Sequence, residues 1–417
     1  MTLLPLRRNR DFLLLQVAQL LSSGGSQMSA IAYPLLVLAL TGSPAKAGIV
    51  AFARLAAMAV WALPAGLAAD RWSRRRLMIG AHALRTVAIG ALGALILAGE
   101  LPFWVVPLVA FVEGAGAALF SAAQAGALRA VVPKLQLPDA VAVVTGREAA
   151  VSLAAPPLGG ALFVLARALP FVAHAASYAL STLALLAMRT PFEEERERDP
   201  SPLRARLAEG FGFLWAHPFL RTSALLFGLA NFIGPGVLLA LLVIGKEQGL
   251  SGGELGLLLS VFGAGLLLGA FLSPIVRRLL PVRGVLVLEL WTWAGCGAFV
   301  LWPNVYVLAA SLLPTALAIP ATDSVVGGYQ LAMTPDRLLG RVSSVRTVLA
   351  LAIAPLGPLA AGLLLATGSA RATIGVFAVF GLVLAVWGTL SPSIRGAPSL
   401  ADLEELPLPG PAVARAR

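Results

Sequence analysis

Charge is what this sequence has least of. Asp, Glu, Lys and Arg make up 12% of its 417 residues, about half of the ~25% with which a soluble chain covers its surface. Hydrophobic residues fill 59% of the positions and the mean hydropathy is +0.88. A water-facing exterior is excluded, so the outer face meets lipid. Cys296 is the only cysteine, which excludes an intramolecular disulfide and removes any redox-compartment signal. Lysine stands only at 46, 134 and 246, so the basic residues are nearly all arginine. With the heavy use of Ala and Gly, this points to a GC-rich bacterial source. No Gly-x-x-x-x-Gly-Lys-Ser/Thr loop is present, which excludes ATP hydrolysis by that route. Nor is there a metal-ligand cluster or a nucleophile–base pair, and we expect no enzyme, no cofactor and no metal. The net charge of +11 lies in short clusters between apolar runs, as loop anchors do, and it suggests no nucleic-acid partner.

What is abundant is apolar sequence in runs of spanning length. They fall at 12–40, 47–69, 76–98, 103–127, 139–166, 168–188, 219–245, 253–275, 282–301, 305–328, 338–366 and 370–390. The expected fold is therefore an all-α integral membrane protein of twelve transmembrane helices. The apolar run after Arg7, Arg8 and Arg10 is too long for a signal-peptide core and reads as a retained first helix. The one long polar interruption runs from Arg189 to Arg221 and holds an acidic–basic run, then an amphipathic stretch from Leu203 to Trp215. It divides the chain into an N-terminal lobe at 1–188, a linker at 189–218, a C-terminal lobe at 219–390 and a tail at 391–417. Forty-two Gly and 29 Pro suit close helix contacts and tolerated kinks in a membrane bundle. Counted by loop, Lys and Arg concentrate on one side, including Arg71, Arg74, Arg75, Arg76, Arg189, Arg277, Arg278 and Arg341. The positive-inside rule makes that side, with both termini, cytoplasmic.

The halves echo one another. An offset of 199 carries Arg147 onto Arg346, Ala155 onto Ala354 and Pro156 onto Pro355, as a parallel repeat of two six-helix units would. Between the second and third runs stand Gly66, Asp70, Arg71, Arg74, Arg75 and Arg76. The string resembles the inner-loop signature of the major facilitator superfamily, Gly-x-x-x-Asp-Arg-x-Gly-Arg-Arg, with Ser73 in place of the usual glycine. The Gly would let the second helix approach a neighbour, the Asp pair with a helix end, and the arginines hold the loop inside. Further segments, among them Gly114-Ala-Gly116, Pro156-Pro-Leu-Gly-Gly160 and Gly340-Arg-Val-Ser-Ser344, resemble the drug:proton antiporter-3 branch, which includes exporters of macrolides and of enterobactin. Pro157, Gly159 and Gly160 match its fifth-helix antiporter motif. The resemblance implies two pseudo-symmetric lobes, with the first, fourth, seventh and tenth helices lining a cavity. It implies an inner gate in which Asp70 and Arg71 meet Gly340 and Arg341 when that cavity opens outward. No arginine occupies the fourth helix near Ala110, where many drug/proton antiporters carry one, so their proton mechanism does not transfer directly.

Ionisable side chains inside a span are costly and hence functional candidates. In the first half they are Arg54, Arg85, Glu113, Arg147 and Glu148. Glu113 lies roughly 15 Å from the outer end of its helix, and Arg85 and Arg147 about 12–14 Å from the inner ends of theirs. All three approach the middle of a core about 30 Å thick. A pair between Glu113 and one of these arginines is expected, either as a buried structural ion pair or as a titrating site with Arg147 as alternate partner. In the second half Glu289 and Arg346 sit some 10–12 Å from the inner face. The amides Gln19, Gln27 and Asn231 are candidate substrate contacts, with interhelical hydrogen bonding as the alternative for each glutamine.

The reading is a monomeric secondary transporter of a bacterial cytoplasmic membrane. It would export a small amphipathic molecule such as a drug, antibiotic or siderophore, in exchange for protons. A lipid or lysophospholipid carrier of the same fold, and a transporter-like receptor or assembly factor, are the alternatives.

Overall fold

The structure is a computed structural model that describes residues 5–190 and 203–397. Twelve helices among these are long and apolar enough to cross a membrane. The first six spans are single helices: α1 (Arg10–Thr41), α2 (Pro44–Arg71), α3 (Arg74–Ala98), α4 (Val105–Val131), α5 (Leu137–Leu165) and α6 (Leu169–Ala187). The linker helix α7 (Leu203–Ala216) follows, where the sequence has its amphipathic stretch. The tail from 398 and the acidic–basic run of the linker lie outside the described residues.

The second half differs in that its odd-numbered spans are broken. Span seven is α8 (Pro218–Ala230) and α9 (Ile233–Glu247). Span nine is α11 (Val282–Ala294) and α12 (Ala298–Leu301), joined by a 3-10 turn at Gly295–Gly297, and span eleven is α14 (Asp336–Ile353) and α15 (Leu356–Thr367). Even-numbered spans α10 (Gly252–Leu279), α13 (Val305–Met333) and α16 (Ala370–Leu390) are continuous. Proline accounts for two of the breaks, since its ring clashes with the carbonyl four residues earlier: Pro235 follows the break at 231–232, and Pro355 stands in the other. The repeat is therefore incomplete, because α5 runs unbroken through Pro156 and Pro157.

Helix starts are capped as the sequence allows. Asn9 accepts from the Phe12 amide at 3.1 Å, and Ser251 and Glu254 form a reciprocal capping box at the start of α10. Left-handed Gly42 and Gly99 end α1 and α3, a conformation that costs other residues strain. One end of the bundle carries the α2–α3 loop and the start of α14; it is called the basic end here, and the opposite one the distal end.

Within each half, spans pack side by side: α2 on α4, α3 on α4 and α6, and α1 on α5 and α6 in the first; α10 on α13, α11 on α13 and α16, and α9 on α15 in the second. Two seams join the halves, α5 against α10 and α2 against α15. Both are closed by glycine near the distal end. A methyl group on Gly160 would stand 1.9 Å from the Gly252 carbonyl oxygen, and one on Gly48 would stand 2.6 Å from that of Pro358 and 3.1 Å from the Gly362 Cα. Small residues drive such contacts in membranes because they let backbones touch. Towards the basic end the α5–α10 seam parts. The close α5–α10 contacts run from Gly160 with Gly252 to Ser152 with Gly263, whereas a methyl group on Gly146 would meet nothing within 4 Å, and Gly265 and Gly269 of α10 pack on Ala316 and Leu317 of α13 instead. The glycine contacts that hold α5 against α10 and α2 against α15 are thus distal.

Candidate functional site

A buried charge cluster lies inside the first half. Glu113 on α4 is wholly buried, and its carboxylate accepts from Arg54 Nε of α2 at 3.0 Å and from Ser26 Oγ of α1 at 3.1 Å. Arg85 Nη2 of α3 stands 3.5 Å from its other side. Arg54 Nη2 also donates to Ser26 Oγ at 2.8 Å, closing a ring of three side chains from three helices. The sequence makes room for this locally. A methyl group on Gly114 would reach within 2.1 Å of the Arg54 carbonyl oxygen, and one on Gly116 within 2.6 Å of the Arg85 side chain. The Gly114-Ala-Gly116 segment thus lets α2 and α3 close on the acid. Two guanidinium groups against one carboxylate offset the cost of burying it, in a setting where low dielectric strengthens each bond.

Around Arg85 the cluster continues in aromatic and imidazole side chains that the sequence did not single out as a group. Its guanidinium lies 4.0 Å from the Tyr178 ring centroid, a cation–π contact. Tyr178 in turn packs against His174 at 4.3 Å and His82 at 5.0 Å, and His82 stacks on Phe120 at 4.2 Å. His174 Nδ1 shares a 2.6 Å hydrogen bond with Ser29 Oγ, which ties α6 to α1.

Several expected partnerships take a different form. Arg147 does not reach Glu113; its Nη1 bonds Gln16 Oε1 at 2.6 Å and Gln19 Oε1, and its Nη2 meets Glu148 at 3.3 Å. It clamps α5 to α1 instead. The partner of Glu113 on the cavity side is Arg54, a buried cation of the sequence reading that was not paired there with the acid. Glu289, which the sequence set at the depth of Arg346 without pairing the two, is buried beside Trp293, whose Nε1 lies 3.4 Å away. Helix packing explains these differences, because depth along a span fixes the height of a side chain but not its direction.

The inner-gate residues cluster at the basic end. Arg75 donates to the Leu185 and Leu186 carbonyls at 3.1 and 2.8 Å, capping the last turn of α6. Arg74 is partly buried beside it, whereas Asp70 and Arg71 are exposed. A methyl group on Gly66 or on Gly340 would meet nothing within 4 Å, so the close approach expected of Gly66 is not made here. Glu209 of the linker helix pairs with Arg337 at 3.0 Å and with Arg341, and Gly210 lets α7 lie against the Arg341 backbone.

Between the halves, under the distal seams, lies a cavity of about 360 Å³. Spans one, two, five, seven, eight and eleven contribute to its lining, and spans four and ten do not. Of the three candidate amides, Gln27 lines it. Gln19 is held by Arg147 and is 3% exposed, and Asn231 bonds back to the Phe227 carbonyl at 2.7 Å, so neither reaches this cavity. The fifth-helix motif forms the wall and seam: Pro156 lines the cavity, Gly256 packs on Pro156 and Pro157, Gly159 on Met28, and Gly160 on Gly252.

A bundle of two six-helix halves around a central cavity is the architecture of a secondary transporter rather than an enzyme. The sequence profile of the Major Facilitator Superfamily matches residues 15–280, and the chain belongs to that family of multi-pass membrane transporters. It is similar to the multidrug efflux pump Tap of Mycolicibacterium fortuitum, 26% identical over 407 residues that cover 92% of this chain and 96% of Tap. It is similar also to the enterobactin exporter EntS of Shigella boydii serotype 18, 27% identical over 324 residues and 76% of each chain. In fold it resembles the nucleoside transporter NupG in a D323A mutant form, with a TM-score of 0.74 and 13% identity, over 92% of this chain and all of that one.

Proposed function

We propose that this transporter exports small amphipathic molecules from a bacterial cytoplasm by alternating access, in exchange for protons. One observation carries the reading: an apolar cavity between the halves, closed distally by glycine seams while the α5–α10 seam parts towards the basic end. The positive-inside rule makes the basic end cytoplasmic, so the cavity would face the cytoplasm and load there. Efflux by Tap and siderophore export by EntS support the direction. Rocking the halves would part the two glycine seams and bring Asp70 and Arg71 against the start of α14. The proton site in this reading is Glu113, the buried acid of the charge cluster, which could exchange a proton when Arg54 moves.

The test is transport in proteoliposomes of the purified chain. Accumulation of a fluorescent amphiphile on the side of the distal end, driven by an imposed pH gradient, is the expected result. Uptake in the opposite sense under the same gradient would refute the export direction.

A further inference from the structure

We infer that the closed end of the central cavity is a binding site for an amphiphile carrying one anionic group, with Arg54 as the group that receives it. The inference rests on the export reading for its direction, and it is independent of which ion supplies the energy.

Charge is the first observation. Among the described residues Arg54 is the one charged member of the cavity lining, and its side chain is 23% exposed. Glu113 behind it has no exposure at all, so a ligand in the cavity meets the guanidinium and not the carboxylate. The exposed acids Glu148 and Asp323 are not among the lining residues. Counting Arg54 and Arg85 as positive and Glu113 as negative leaves a net charge of one positive on the cluster. One anion brings the set to neutrality; a cationic amphiphile adds to an unbalanced charge inside the membrane, where such charge is costly.

Donor geometry is the second. Arg54 spends Nε on Glu113 and Nη2 on Ser26. Its Nη1 has no acceptor among the described residues, although a guanidinium is a fork suited to carboxylate, sulfonate and phosphate. The pair with Glu113 fixes the guanidinium, so an anion could be received without breaking it. Tyr33 belongs to the same wall, but its hydroxyl is sealed from the cavity, so it contributes packing and not a donor. Gln27 adds an amide.

The rest of the wall sets the body of the ligand. Pro34, Leu238, Leu242, Phe262 and Leu266 are apolar, and a cavity of about 360 Å³ takes a molecule of two or three rings. A sugar or nucleoside would leave its hydroxyls facing these side chains without partners.

Three probes test this on the full chain in nanodiscs. Anilinonaphthalene sulfonate and N-phenylnaphthylamine share one ring system and differ in the sulfonate; tetraphenylphosphonium is a cation of similar bulk. A charge-assisted bond from Arg54 makes the sulfonate bind at least about tenfold more tightly than its neutral analogue. Arg54→Gln should abolish that preference and Arg54→Lys keep its direction. Because Arg54→Gln disturbs Glu113, Gln27→Glu serves as the second variant. It leaves the pair intact, and it should weaken the sulfonate about tenfold more than the neutral probe. Equal binding of the two naphthalenes, or tighter binding of tetraphenylphosphonium, overturns the inference while outward transport of the neutral probe keeps the export reading. Loss of transport for all three probes defeats the export reading itself.

Discussion

Arg54 and Glu113 stand 59 positions apart in sequence and 3.0 Å apart in space, one at the cavity wall and the other sealed behind it. In the proposed mechanism Arg54 is the group through which events in the cavity would reach the buried acid. Movement of Arg54 would leave Glu113 with Arg85 and Ser26, and the proton affinity of a carboxylate rises as opposite charge withdraws.

The first expectation follows from that link. Glu113→Gln keeps the shape and removes the exchangeable proton, so transport driven by an imposed pH gradient should be lost while downhill exchange of substrate persists in part. The variant also leaves Arg54 and Arg85 without a counter-charge, a loss of about 3–5 kcal/mol for a broken buried pair. Its amount in the membrane and its melting temperature must therefore be measured together with transport. A well-folded Glu113→Gln protein that still concentrates substrate under the gradient would exclude Glu113 from coupling.

How far the sequence carried this differs between fold and site. Twelve apolar runs and the Arg-rich loops were legible because span length and hydropathy are properties of contiguous residues. Glu113 and Arg85 could be placed at similar depth for the same reason, since rise per residue along a helix is fixed. Rotation was not legible. Whether Arg54 or Arg147 faces Glu113 depends on how α2 and α5 are turned against α4, and the packing that decides it involves glycines at 114 and 116. Gly114-Ala-Gly116 resembles a family string, and its position directly after an acid within a span is the signal the sequence offers. The breaks in spans seven and eleven were also within reach, given Pro235 and Pro355, but the matching Pro156 left α5 whole.

The second expectation concerns the basic end. Glu209 holds Arg337 and Arg341 in the structure, and Asp70 is the residue expected to meet the start of α14 in the alternate state. Asp70→Asn should lower transport several-fold with normal protein levels, because the alternate state loses its contact. Glu209→Gln removes ion pairs that are partly exposed, each worth about 0–1 kcal/mol, so its effect should be smaller and favour the outward-open state. Transport by Asp70→Asn at the native rate would refute the gate assignment.

The third expectation is topological. Cys296 is buried, so a Cys296→Ser background should be silent towards thiol reagents. In it, cysteines at Glu100 or Glu247, both exposed at the distal end, should react with an impermeant maleimide added to intact cells, and one at Ser73 should not. Gly252 is unsuitable for such a label, since a side chain there would press on the Gly160 carbonyl oxygen at 2.8 Å. The reverse pattern would place the basic end outside and turn export into import.

The last expectation concerns the distal seam and is the most direct test of alternating access. Any side chain at Gly160 would place its first carbon 1.9 Å from the Gly252 carbonyl oxygen and 2.6 Å from the carbonyl carbon. Both are backbone atoms, so the clash can be relieved only by moving α5 away from α10. Overpacking of this kind costs about 1–3 kcal/mol, and that cost falls on the state in which the halves are closed distally. In the proposed alternating access the outward-open state would not make the contact, so its population should rise about tenfold. The reporter is Gln27→Cys in the cysteine-free background, because Gln27 lines the cavity beneath the seam. Its labelling from outside by an impermeant maleimide should accelerate by a similar factor in Gly160→Ala. Gly48→Ala, on the second seam, would clash with the Pro358 oxygen at 2.6 Å and should act in the same direction. Gly146→Ala is the control: it lies on the same helix as Gly160, and a methyl group there meets nothing within 4 Å. Unchanged labelling in both seam variants, at normal protein levels, would mean that the distal seams do not gate the cavity.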